Sequence, residues 1–112
     1  LPRIVGTAVA TDMILTGRPI TAADAEKWGL VSAVVEPDKL TEAGMAIGKA
    51  IAAKSPLMVK WAKRCIQLTR DHGLQDGIQE ELTRFAETFT TADAAEGTRA
   101  FLEKRKAVFV GR

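Results

Sequence analysis

The side chains of this sequence that could do chemistry are scattered, and their spacing limits what each can do. Gly44 and Gly48 precede Lys49, which invites comparison with a phosphate-cradling loop. Such a loop needs a wider glycine spacing and a Ser or Thr after the lysine to reach magnesium, and Ala50 stands there instead. No phosphate loop is expected. His72 is the only histidine and has no cysteine nearby, so a metal site would lack ligands; its expected part is that of a basic group near a helix C-terminus. Cys65 is also alone and falls on an apolar stripe without an adjacent base, the pattern of a buried structural thiol. Glu80 and Glu81 are an acid pair in sequence only, because adjacent helical positions point about 100° apart, and both are expected to face solvent. The end of the chain, FLEKRKAVFVGR (residues 101–112), is less easily dismissed. There Phe101 and Phe109 bracket Lys104, Arg105 and Lys106, and a loose tail has little use for large apolar rings.

The elements that must position these residues read mainly as helices. In LPRIVGTAVATDMILTG, Ile4, Val9, Met13 and Ile14 fall roughly on one helical face and Gly17 supplies a stop. Thr21 followed by Asp24 is a capping box shortened by one methylene, opening a short helix that ends at Gly29. LVSAVV (residues 30–35) reads as a short strand-like run. Leu40, Gly44, Ile47 and Ile51 give a helix a thin contact strip, and Ser55-Pro56 caps and starts the next, with Met58, Trp61, Cys65 and Leu68 as its stripe. The clearest periodicity is Leu74, Ile78, Leu82, Phe85 and Phe89. Burying that stripe would supply roughly 8 to 15 kcal/mol before entropy, an upper bound, so the helix requires a packing partner. Thr90 or Thr91 caps a last helix, expected to run from Ala92 to Phe109 with Ala94, Thr98, Phe101 and Leu102 inward and the lysines outward.

Composition narrows the classes. With 46% apolar and 27% charged residues in 112, the chain is too apolar for disorder and long enough for one modest core. A net charge of +2 gives no field strong enough to gather nucleic acid or an anionic membrane. One cysteine and no long apolar run lead us to expect a reducing, cytoplasmic setting. An opening leucine leads us to expect further chain before it. Residues 54–70 are basic without an acid, whereas residues 71–98 carry seven acids against Arg84, so two neighbouring helices of opposite sign could pack antiparallel. Exposed pairs of that kind contribute only about 0 to 1 kcal/mol each.

The order of segments carries more than any one residue. ILTGRPITAADAEKWGLVSAVV (residues 14–35) followed by FLEKRK (residues 101–106) resembles the C-terminal portion of the enoyl-CoA hydratase/isomerase, or crotonase, superfamily, with agreement along the whole chain. The resemblance implies a mainly α chain: the C-terminal helical, trimerising part of a crotonase-like α/β fold built on a ββα spiral, with residues 1–36 ending the spiral core and residues 37–112 forming the trimerisation region. It implies an enoyl-CoA hydratase that adds water across the 2,3 double bond of an acyl-CoA thioester, in fatty-acid oxidation type chemistry. Its oxyanion amides and catalytic glutamates would lie upstream, so this segment holds no catalytic residue and no metal, is inactive alone, and Glu80, Glu81 and Glu96 are not substitutes. The same resemblance places Phe85 and Phe101 in an apolar cover over the acyl chain and Lys104 at the coenzyme A phosphates. No separate cofactor is implied, since coenzyme A is part of the substrate. The implied partners are the thioester and sister subunits, in a trimer or dimer of trimers, with no nucleic acid and no membrane. By periodicity alone, Phe85 would be core. The competing expectation is a helical oligomerisation module of a non-catalytic relative, or of one that isomerises, decarboxylates or hydrolyses its thioester.

Overall fold

The computed structural model describes residues 1–112 throughout, and every regular element in it is helical: α1 (Pro2–Val5), α2 (Thr7–Thr16), α3 (Ala22–Lys27), a 3-10 turn (Pro37–Lys39), α4 (Leu40–Ala52), α5 (Pro56–Leu68), α6 (Leu74–Thr88) and α7 (Ala92–Leu102). Two compact units emerge, Leu1–Gly44 and Met45–Arg112, with α4 running through the division.

In the first unit, Gly6 at φ +81° splits the opening apolar face into α1 and α2, a conformation that a residue with a Cβ adopts only under strain. Gly17, left-handed, ends α2 as its position predicts. Thr21 caps α3 by accepting from the amide of Asp24, while its hydroxyl donates to the Asp24 carboxylate. Asp24 is thus bonded to the cap hydroxyl and the reciprocal arm of a full capping box is not made. α3 closes in a Schellman motif: the amide of Leu30 donates to Ala25 O and that of Gly29 to Glu26 O, with Gly29 left-handed. The expected strand at residues 30–35 does not form. Those residues bend and then follow an irregular path without a ladder, and Val34 donates its amide to Glu26 Oε1. β-branched residues make a strand only where another edge accepts the backbone groups, and no second strand exists here.

In the second unit, α5 and α6 pack side by side as an antiparallel hairpin. Ser55 caps α5 by accepting from the amide of Met58, with Pro56 at the first helical position. The opposite signs of the two helices meet at Glu80, which accepts from Arg64 of α5 at 3.0 Å and from Arg84 of its own helix at 2.9 Å. Glu80 is therefore only 20% exposed and does not face solvent as expected. These guanidinium bonds, Arg84's first, hold its carboxyl below the ordinary range.

The last helix is shorter than its sequence pattern. Thr91 caps α7 by accepting from the amide of Ala94, but the helix stops at Leu102. The expected continuation of this helix to Phe109 is overturned with it. Little is fully buried. Ala10, Ala25 and Ala100 are the buried apolar residues, while Leu74, Ile78, Leu82, Phe85 and Phe89 all remain exposed. The strongest apolar stripe in the sequence thus finds only part of its partner within the chain.

Candidate functional site

The tail answers the question its two phenylalanines pose, because it folds back along α7. Asp93 is 1% exposed and sits at the start of that helix. Its carboxylate accepts from the amides of Val110 at 2.7 Å and Gly111 at 3.0 Å and from the Ser55 hydroxyl, while its own amide donates to Arg112 O at 3.1 Å. Burial pushes the Asp93 carboxyl up, yet the Ser55, Val110 and Gly111 bonds outweigh it and leave the group below its ordinary value. One turn along the same face, Glu96 accepts both nitrogens of the Arg105 fork, at 2.6 and 2.8 Å, and the amide of Val108 at 2.9 Å. The fork and the amide together lower the Glu96 carboxyl to about 2, and Arg105 is raised in return. Phe109 lies over the Cβ-free surface of Gly97, and Gly111 lies against the Pro56 ring. Two carboxylates thus fasten the tail, and Phe109 packs on Gly97.

The turn carrying Lys104 leads into this fastened tail. After α7, Lys104 donates its amide to Phe101 O and Arg105 to Ala100 O, the Schellman pattern again. The left-handed position belongs to Lys104, at φ +53°, the only non-glycine residue with positive φ. Glycine occupies the equivalent place at the end of α3, so the lysine here is held against its backbone preference. Arg105 is paired with both Glu96 and Glu103. Lys104 makes no ion pair and is exposed.

Phe85 and Phe101 are also open. Phe85 is 61% exposed and meets Phe89 edge-on at 5.1 Å; Phe101, on the last turn of α7, is 82% exposed. No hydrogen bond, ion pair or ring contact joins either ring to Lys104 within the chain. A concavity of about 730 Å³ lies between α5 and α6, lined by Met58, Trp61, Cys65, Ile78 and others but by neither Phe85 nor Phe101. Cys65 and His72 both border it. His72 lies in the turn beyond α5, where its amide donates to Leu68 O, so its backbone and not its ring completes the helix end.

Sequence reasoning missed Asp93 and passed over Glu96 except to deny it a catalytic part. A weak signal existed, since residues three apart on a helix share a face. Their partners lie 9 to 38 positions away, beyond the reach of any local pattern.

The family model described as enoyl-CoA hydratase/isomerase matches residues 1–112, and the chain belongs to that family. A probable enoyl-CoA hydratase from Rhizobium meliloti (strain 1021) is 43% identical over 112 residues, all of this chain and 44% of the relative. The mitochondrial enoyl-CoA hydratase of Pongo abelii is 38% identical over 109 residues, 97% of this chain and 38% of that protein. The crystal structure of enoyl-CoA hydratase from Bacillus anthracis superposes with a TM-score of 0.92 at 36% identity, covering 99% of this chain and 43% of the other. The chain thus spans less than half the length of the relatives it matches. No helix is long and apolar enough to cross a membrane.

Proposed function

We propose that this chain is the helical, subunit-contacting and coenzyme A-binding part of an enoyl-CoA hydratase, which adds water across the 2,3 double bond of an acyl-CoA thioester. The observation that carries the reading is the turn after α7: an unpaired ammonium on Lys104, which is held in a left-handed conformation three residues beyond the exposed Phe101. A cation next to an apolar surface suits a ligand with a phosphorylated nucleotide at one end and an acyl arm at the other. The names of the relatives supply the reaction class. The unburied faces of α6 and α7, including Phe85 and Phe101, are read as surfaces that sister subunits and the acyl chain cover, as a trimer or dimer of trimers would require.

In this division of work the chain binds and the chemistry lies elsewhere. Amides that stabilise the enolate-like oxyanion and carboxylates that position water and move a proton are assigned to the part of the fold outside these residues. Lys104 would anchor the coenzyme A phosphates and so hold the thioester in place without touching the reacting carbons. The test is product identification by mass spectrometry after incubating the protein that carries this chain with a trans-2-enoyl-CoA. Gain of one water with the thioester intact supports the reading; release of free coenzyme A thiol or a shifted double bond refutes it. A relative named carnitinyl-CoA dehydratase, 33% identical over 115 residues, favours a second reading in which the same shell eliminates water from a hydroxyacyl thioester.

A further inference from the structure

We propose that Glu96 is a positioning residue for the ligand contact of Lys104, an inference that rests on the reading of Lys104 just given. Lys104 occupies a hinge between two fixed points. Upstream, the amides of Lys104 and Arg105 are tied to the last turn of α7 through Phe101 O and Ala100 O. Downstream, Glu96 holds the Arg105 fork through both of its oxygens and also receives the Val108 amide. A left-handed lysine is disfavoured on its own, so the turn keeps that conformation only while both sides are tied. The same clamp pairs the Arg105 charge and leaves the Lys104 ammonium, like that of Lys106, without an ion pair. Bidentate geometry suits the task, because it fixes the direction of the guanidinium as well as its distance. Glu96 thus reaches no ligand and acts through Arg105 and the turn.

The alternative is that Glu96 only tunes local charge, and two substitutions separate the cases. Glu96→Gln removes a negative charge and Arg105→Gln removes a positive one, so a purely electrostatic effect on an anionic ligand moves in opposite directions in the two variants. A positioning role moves both the same way. The experiment measures, in the full protein, the Kd for free coenzyme A by calorimetry, and kcat and KM for an enoyl-CoA and for the same acyl group on pantetheine, which lacks the nucleotide phosphates. We expect both variants to raise Kd and KM for the coenzyme A ligands about threefold, the size of a partly exposed ion contact. The kcat and the pantetheine KM should stay unchanged, and neither substitution should add to the effect of Lys104→Ala. Opposite movements, equal effects on both thioesters, or additivity with Lys104→Ala would overturn the proposal. A silent Lys104→Ala removes the reading of Lys104 and this proposal together, whereas an affected Lys104→Ala beside silent Glu96 and Arg105 variants overturns the positioning role alone. If either glutamine variant fails to fold, Glu96→Asp and Arg105→Lys keep the charges, break the fork geometry and are expected to give the same KM increase.

Discussion

Replacing Lys104 by glycine should make the protein more stable while weakening its grip on an anionic ligand. The side chain is exposed and makes no ion pair, and its φ is +53°, so the backbone term dominates. An L-residue in the left-handed region is disfavoured by about 1 to 2 kcal/mol, and glycine escapes that penalty. Glycine also gives the unfolded chain extra freedom, which offsets about 0.4 to 1 kcal/mol of the gain. The net stabilisation is therefore about 0.5 to 1 kcal/mol, a rise in Tm of roughly 1 to 4 °C for a protein of this family's size. Lys104→Ala is the matched control, because it deletes the same ammonium but keeps a Cβ in the left-handed position. Thermal unfolding at matched protein concentration should place Lys104→Gly above both wild type and Lys104→Ala, with the latter two nearly equal. Equal Tm values for the glycine and alanine variants would refute the claim that the turn is held against its preference. Both variants should show the same loss of coenzyme A affinity, since both lack the ammonium.

Other consequences of the tail fastening can be checked separately. Asp93→Asn turns an acceptor of three bonds into a group that presents an NH2 to donors, so hydrogen exchange at Val110 and Gly111 should accelerate while α5 and α6 keep their protection. The Glu96 carboxyl lies near 2 against an ordinary 4.5; a depressed acid contributes its stability in full above the unfolded value and loses it as pH falls through the folded one. Protection of the Val108 amide should therefore be flat above the ordinary value and decline from about 4.5 toward 2, and a decline confined to neutral pH would contradict the assignment. Ser55→Ala removes the α5 cap and should destabilise by about 1 to 2 kcal/mol in urea unfolding. Gly97→Ala should instead stabilise by up to about 1 kcal/mol from helix propensity, because its Cβ would meet Phe109 at an ordinary 3.6 Å.

Most of the helical framework was readable from the residues, since its signals are local. Ser55-Pro56, Thr21, Thr91 and Gly17 mark helix boundaries through bonds spanning a few positions, and the structure places ends where they stand. Residues 30–35 misled because β-branched composition reports a preference for a pleated surface and cannot report whether a partner edge exists. The last helix was overextended for a related reason. Glu103-Lys104-Arg105-Lys106 are good helix formers individually, but α7 ends in the turn at Lys104, beyond which Glu96 bonds Arg105 and Asp93 bonds the tail amides. The resemblance to the family pointed to Lys104 as a ligand contact, whereas its left-handed turn and the carboxylate bonds that follow it left no mark in the local sequence pattern.

The claim that this terminal turn binds coenzyme A while the chemistry is done elsewhere is tested most directly by steady-state kinetics of Lys104→Glu in the full protein at low ionic strength. The account predicts a KM for the enoyl-CoA raised several-fold with kcat nearly unchanged, and a difference that shrinks as salt is added. An unaltered KM at low salt, or a kcat that falls with KM unchanged, would contradict it.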